Sequence, residues 1–451
     1  MKGVDLKTIA AAVGGSLPFG GDDRVVSGVC TDNRKVAGGE LFVALKGERF
    51  DAHAFAQSAL EAGAAGVFVE NTECTESAEG TILVGNTLTA LQRLARWWRA
   101  ELGLPVIGLT GSNGKTSTKD FTKAVVGTRY RIRATVGNLN NHIGVPLSVL
   151  SLEEGDEVGI FEMGMNHPGE IAPLCEIAKP HIGIITNIGT AHIEYMGSRD
   201  AIAEEKGALA RSLPEVGTLL VPVSCDYMPY LVERTRAQVV GVGNGRGDVR
   251  AEEIDGSSGT MSFQLVFEGE GKAQVHLKVA GRHMVTNALL AAAAGRALGI
   301  GVEDAAKGLT EAVLTSGRLR AFQAEGVKVF DDTYNANPDS MRAGLETLAE
   351  ASVGEGGRRF AVLGRMAELG EHAEREHKAL GESVAGMGIG LLAVGEGAEG
   401  IAEGAGGNFY FAEKEQAAKW LSENLKEGDA VLFKGSRAAA IEEVMNLVFT
   451  D

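Results

Sequence analysis

Nine residues, Gly108-Leu-Thr-Gly-Ser-Asn-Gly-Lys-Thr116, constrain this chain more than any other stretch. They follow Pro105-Val-Ile-Gly-Leu-Thr, a β-branched run that reads as a buried strand, and they lead straight into a long helical pattern. Small residues let backbone N–H groups approach phosphate oxygens, and the helix start adds partial positive charge. Lys115 can neutralise β and γ phosphates, and the Thr116 hydroxyl can ligate Mg²⁺. Gly111, Ser112, Asn113, Gly114 and Ser117 complete the candidate cradle. The strict Walker pattern would require glycine at 109, where Leu109 stands. Alone, this loop says nucleotide binding and no more.

A strand, phosphate loop and helix imply an α/β domain, and the rest of the chain repeats that alternation. Further strands are expected at Val158–Glu162, 181–187 and Thr218–Pro222, with helices between the first of them. A mainly parallel sheet covered on both faces follows. Before it, residues to about 85 alternate short apolar runs with an Ala-rich segment and read as a small α/β unit, joined by a helix over 88–101. After Asp248 the pattern changes to a hairpin, Met261–Phe267 with 273–279, and then to an Ala-rich helix over 284–298. A break at 314–317 precedes a third α/β set, with strands at 327–331, Arg359–Leu363, 391–394 and Ala430–Lys434. Three domains are therefore expected, 1–85, 86–314 and 315–451, which suits a length of 451 residues.

Composition narrows the partners. A formal charge of −17 disfavours nucleic acid or an anionic membrane, because both demand a net basic surface. An anionic substrate must then be met by local cations and metal. Cys30, Cys74, Cys175 and Cys225 form no CxxC pair, so structural thiols in a cytosolic chain are expected. Residues 1–12 lack a secretory pattern, and no apolar run approaches the roughly 18 residues a membrane span needs. A soluble, cytoplasmic protein without a membrane span is the expectation.

Phosphoryl transfer concentrates negative charge, and three segments can supply ligands for the cations that offset it. Phe161-Glu-Met-Gly164 ends a strand with the carboxylate of Glu162. Thr186-Asn-Ile-Gly-Thr-Ala-His192 ends another with an imidazole, and Glu205-Lys-Gly207 is expected to open a helix. Strand ends on one edge of a parallel sheet are where such groups converge. Taken singly, Glu162 and His192 would more often be ordinary polar residues.

These motifs, in this order, resemble the Mur ligase family, whose loop the form G-x-T-G-x-x-G-K-T matches along with that of folylpolyglutamate synthase. The resemblance spans nearly the whole chain. It implies that Glu162 and His192 hold magnesium with Thr116, two ions being expected, and that Lys206 stands where the family carries a carbamylated lysine. It places Asn287, in His283-Met-Val-Thr-Asn287, near the nucleotide, and Arg318, in Ser316-Gly-Arg318, on the γ phosphate of ATP as domains close. Asp331-Asp-Thr-Tyr-Asn-Ala-Asn-Pro338 is similar to the family's nucleotide segment, with Asp332 as its acid and Asn335 beside it.

Within the family, Thr135-Val-Gly-Asn-Leu-Asn-Asn-His-Ile-Gly-Val-Pro146 is similar to the member that adds D-Ala-D-Ala to UDP-MurNAc-tripeptide. Asn138, Asn140 and Asn141 are its candidate substrate residues. Thr31-Asp-Asn-Arg34 and Phe50-Asp-Ala-His53 resemble the uridine-nucleotide module, with Asn33 and Ala52 where serine and glycine are usual. Thr31, Asn33 and Arg34 are the residues implied there. Arg365 stands where the family usually has aspartate, and no role is assigned to it. The implied fold is a central P-loop ATPase domain between a small N-terminal α/β domain and a Rossmann-like C-terminal one. Lys115, Lys206, His192 and Arg318 are the implied catalytic groups, in a chain expected to be a monomer. Rivals are another amide ligase of the superfamily and a nucleotide-dependent switch, which would have little use for Glu162, Lys206 and a closing third domain.

Overall fold

Alternation along the strands decides how the central layer is covered. In Val106–Thr110, Ile107 and Leu109 enter one core and Val106 enters the other, as a period of two requires. Helices Lys115–Val126 and Arg282–Ala297 cover the first face; Thr87–Leu102, Ile171–Ala178 and Arg199–Ser212 cover the second. The computed structural model describes residues 1–257, 259–407 and 409–449.

Three larger sheets carry the architecture. The central one has nine strands, in the order Gly271–Leu277, Met261–Phe267, Val249–Asp255, Gln238–Asn244, Thr218–Pro222, Ile182–Ile185, Val106–Thr110, Val158–Glu162 and Ile132–Ala134. Every pairing is parallel from Ile132–Ala134 as far as Val249–Asp255, and the last two pairings are antiparallel. A four-stranded parallel sheet, Gly28–Cys30 to Thr81–Leu83, lies before it. A six-stranded sheet follows, Arg320–Ala324 pairing antiparallel with Val327–Asp332 and the others parallel. The mixed α/β, mainly parallel, three-part architecture is the one expected.

Four local readings change. Glu205-Lys-Gly207 lies inside Arg199–Ser212 and does not open it: Ser198 is the N-cap, its side chain accepting from Ala201 N–H. His192 does not end a strand, because Ile182–Ile185 stops earlier and a loop over 186–192 carries the imidazole into the cleft. The hairpin's second strand is Gly271–Leu277, two residues earlier than the apolar pattern suggested. Gln238–Asn244 and Val249–Asp255 are strands that the sequence did not announce. Gly241 and Gly243 interrupt the first, where any Cβ would strike Val223 at 2.7 and 2.5 Å, and charges interrupt the second.

The four cysteines are free thiols, Cys175 buried and pushed up to about 12 by desolvation. Among the described residues, no helix is long and apolar enough to cross a membrane.

Candidate active site

The loop after Val106–Thr110 is held open by glycine and braced from behind. Gly114 adopts φ +77° and caps Lys115–Val126; a Cβ there would lie 2.6 Å from Oδ1 of Asn287. The Asn187 side-chain carbonyl accepts from the N–H groups of Ser112 and Asn113 at 3.1 and 2.9 Å. Lys115 donates to the Gly111 carbonyl at 2.7 Å. Burial pushes its ammonium below the usual lysine range; Glu162 opposes that, Arg318 adds to it and Glu368 opposes it.

Beside the loop, Thr116 donates its hydroxyl to Glu162 Oε2 at 3.1 Å, and both side chains are buried. Asn140 Nδ2 donates to the other Glu162 oxygen at 2.9 Å, and the Thr135 hydroxyl accepts from Glu162 N–H at 3.0 Å. This hydroxyl–carboxylate pair, open to one cleft, is a hard-oxygen donor set of the kind Mg²⁺ prefers. Among the described residues no three His, Cys, Asp or Glu side chains form a ready metal cage. Magnesium commonly completes its shell with water and substrate phosphate instead.

Lys206 is 1% exposed and forms no ion pair among the described residues. Its amine is driven well below the ordinary lysine range by burial first and by Lys115 second, against the pull of Glu205. Glu205 itself is occupied, accepting from Gly169 and Ile171 N–H at 2.7 and 2.6 Å and so closing the start of Ile171–Ala178.

The third sheet delivers the remaining groups. Arg318 donates to the Thr116 hydroxyl at 3.2 Å and lies 3.8 Å from the Tyr334 ring centre, as a stacked guanidinium does. Its Nε is buried without a partner among the described residues, a donor left for a ligand. Asp332 accepts from Leu319 N–H at 3.2 Å and from Lys434 at 2.5 Å. Two contacts close the third segment on the central one. Asn337 donates to the Asn113 side chain at 2.7 Å, and Asp339 accepts from Thr190 N–H and hydroxyl at 2.9 and 3.0 Å. Glu368 lies 2.6 Å from Nδ1 of His192, which holds its carboxyl below the usual range against burial. That contact is close but not aligned as a hydrogen bond.

One cleft of about 530 Å³ therefore gathers Ser112 to Ser117, Asn138, Asn140, Asn141, Glu162, His192, Asn287, Arg318, Asp332 and Asn335. Gly111 and Lys206 do not line it, and Thr31, Asn33 and Arg34 lie elsewhere, in the bend and 3-10 turn that follow strand Gly28–Cys30 of the small sheet. Arg34 is tied to Asp32 by two contacts of 2.9 Å. Lys434, Asn337, Asp339 and Glu368 also line the cleft and were not singled out from sequence. Lys434 had a local signal, a lysine ending an otherwise apolar strand, and Asn337 falls inside the segment over 331–338 already named.

The chain is similar to known proteins along nearly its whole length. Residues 25–99 match the model described as Mur ligase family, catalytic domain; 109–295 match Mur ligase middle domain; 317–437 match Mur ligase, glutamate ligase domain. The UDP-N-acetylmuramoyl-tripeptide--D-alanyl-D-alanine ligase of Bacillus subtilis (strain 168) is 40% identical over 98% of this chain and 97% of its own. The chain belongs to the Mur ligase family. In this Mur ligase the three matched segments fall on the four-, nine- and six-stranded sheets in turn. MurF from Acinetobacter baumannii superposes with a TM-score of 0.90 at 34% identity, covering 99% of both chains. A MurF ligase from Thermotoga maritima, solved in complex with ADP, superposes at 0.84 with 30% identity, over 93% of this chain and 96% of that one.

Proposed function

We propose that this Mur ligase is the ATP-dependent amide ligase that joins D-Ala-D-Ala to UDP-MurNAc-tripeptide in peptidoglycan precursor synthesis. The observation that carries the reading is the 40% identity over 98% of the chain to a ligase of that name. The cleft has the parts the chemistry needs. An oxygen of the tripeptide carboxylate attacks the γ phosphorus of ATP, ADP leaves, and an acyl phosphate forms. The amine of D-Ala-D-Ala then attacks the activated carbonyl, an amide bond forms, phosphate departs and the amine gives up its proton.

This chain's groups act by placement and charge. The loop N–H groups from Gly114 to Ser117 hold the phosphates, Lys115 and the Arg318 Nε offset charge on the transferring phosphoryl, and Asn287, Asp332 and Asn335 border the nucleotide. Closure of the third segment, through Asn337 and Asp339, keeps water from the acyl phosphate. Mg²⁺, two ions in this reading, would be held by Thr116, Glu162, His192 and a carbamate on Lys206, and would supply Lewis-acid neutralisation of phosphoryl charge. The carbamate is supported by burial with no ion-pair partner among the described residues: an ammonium there opposes cations, whereas the neutral amine adds CO₂ and releases a proton to give an anionic carbamate. Asn138, Asn140 and Asn141 face the tripeptide, and Thr31, Asn33 and Arg34 hold the uridine nucleotide on the small sheet.

The functional units in this proposal are 1–85 for the UDP-sugar, 86–314 for ATP and 315–451 for closure, in a cytoplasmic monomer. Phosphate release is the test. It should require ATP, UDP-MurNAc-tripeptide and D-Ala-D-Ala together, and release that continues when D-Ala-D-Ala is replaced by a single amino acid would refute the assignment.

A further inference from the structure

Loop 364–370, on the six-stranded side, docks on the turn that carries His192, and both partners meet in unusual backbone conformations. His192 has φ 64° and Glu368 φ 60°, left-handed values that non-glycine residues rarely adopt. Such outliers persist where the surroundings enforce them, and they cluster at functional sites. The enforcement is visible. Glu194 N–H donates to the Glu368 carbonyl at 3.3 Å, and Gly370 packs so closely that a Cβ would sit 3.0 Å from Glu194 Cγ. From behind, the buried His377 accepts from Met366 N–H at 2.9 Å through Nε2 and donates to the Ala373 carbonyl at 2.7 Å through Nδ1, which fixes the loop to its helix.

The outcome is one carboxylate oxygen of Glu368 set 2.6 Å from the buried Nδ1 of His192. An imidazole that ligates a metal needs a lone pair on one nitrogen and a proton on the other. A carboxylate at the second nitrogen selects that tautomer and makes the ligating nitrogen more basic. We infer that Glu368 is a positioning residue: its carboxylate beside Nδ1 favours the Nδ1–H tautomer of His192, so that Nε2 is the nitrogen offered to magnesium. Because Glu368 belongs to the third segment and His192 to the central one, the histidine is oriented only when the two are docked. This rests on the reading of His192 as a magnesium ligand.

The test uses the full-length protein with ¹⁵N-labelled histidine rings, free of metal, together with Mn²⁺ titration by electron paramagnetic resonance in the presence of a non-hydrolysable ATP analogue. In the unsubstituted protein His192 should be chiefly the Nδ1–H tautomer, and Glu368→Ala should shift it towards Nε2–H. Mn²⁺ affinity should fall roughly 10- to 100-fold in Glu368→Ala. Glu368→Gln, which keeps an acceptor oxygen and the side-chain size, should recover part of both. An unchanged tautomer and unchanged Mn²⁺ affinity in the Glu368 variants, with affinity lost in His192→Ala, would overturn the inference alone. Unchanged Mn²⁺ affinity in His192→Ala would overturn it together with the ligand assignment on which it rests.

Discussion

Lys115 is the residue on which the phosphate-loop assignment turns. Lys115→Ala should lower kcat by at least about 10²-fold, as loss of a preorganised charge at a transferring group does, with an unchanged circular dichroism spectrum. Near-normal ligation would remove the loop from the mechanism. Gly114 tests the loop's geometry in a different way. At φ +77°, with Asn287 2.6 Å from any Cβ, Gly114→Ala carries roughly 1–2 kcal/mol of backbone strain and displaces the Asn287 side chain, so calorimetry should show weakened ATP binding. Asp429 provides a stability probe away from chemistry. Burial would raise its pKa, but hydrogen bonds from the Arg358 side chain and N–H outweigh that, leaving it lowered. A depressed carboxyl stabilises the fold above its unfolded pKa, near 4, and the contribution is lost as pH falls through the folded value. Asp429→Ala should cost about 2 kcal/mol at pH 7, and urea titrations should show that difference shrinking as pH drops below about 4. Residues inside motifs, such as Lys115, Glu162 and Arg318, were legible from sequence because their neighbours repeat a family pattern. Glu368 and Asp339 were not, since their partners belong to the central segment and no local spacing encodes that meeting.

At the scale of elements, what sequence conveyed best was buried strands between helices. Val158–Glu162, Thr218–Pro222, Arg359–Leu363 and Ala430–Lys434 are each continuous apolar runs, and the structure has each at the expected bounds. Val249–Asp255 was hidden because only alternate residues reach the core while charges face outward, and Gln238–Asn244 because glycines let it pass close to Val223. Lys206 was placed at a helix start, an error of capping: Ser198 ends the preceding loop with a side chain that accepts from Ala201 N–H. The joint at 312–319 also has a tie that sequence did not reveal. Asp120, on the helix after the phosphate loop, accepts from Thr315 N–H and hydroxyl at 2.9 and 2.8 Å. Asp120→Ala should loosen the approach of Arg318, lowering kcat about 10-fold, near 1.4 kcal/mol, while ATP affinity holds. A raised ATP dissociation constant with unchanged kcat would place Asp120 in nucleotide binding instead.

For the molecule as a whole, both flanking sheets share apolar cores with the central layer: Phe330, Leu345 and Leu432 of the third segment lie in one cluster with Ile107, Phe121 and Val285. Leu6 and Ile9 share one core with Leu91, Leu94 and Ile185, so the small sheet is built onto the central layer by apolar packing. At the cleft itself the third segment adds polar contacts, Asn337 to Asn113 of the phosphate loop and Asp339 to Thr190. The most direct measurement follows ¹⁸O placed in the terminal carboxylate of UDP-MurNAc-tripeptide, with ATP and D-Ala-D-Ala, and mass analysis of both products. Passage through an acyl phosphate should deliver one ¹⁸O into the released phosphate for each amide bond formed to D-Ala-D-Ala. Phosphate that carries no label, or label transfer without D-Ala-D-Ala in the product, would contradict it.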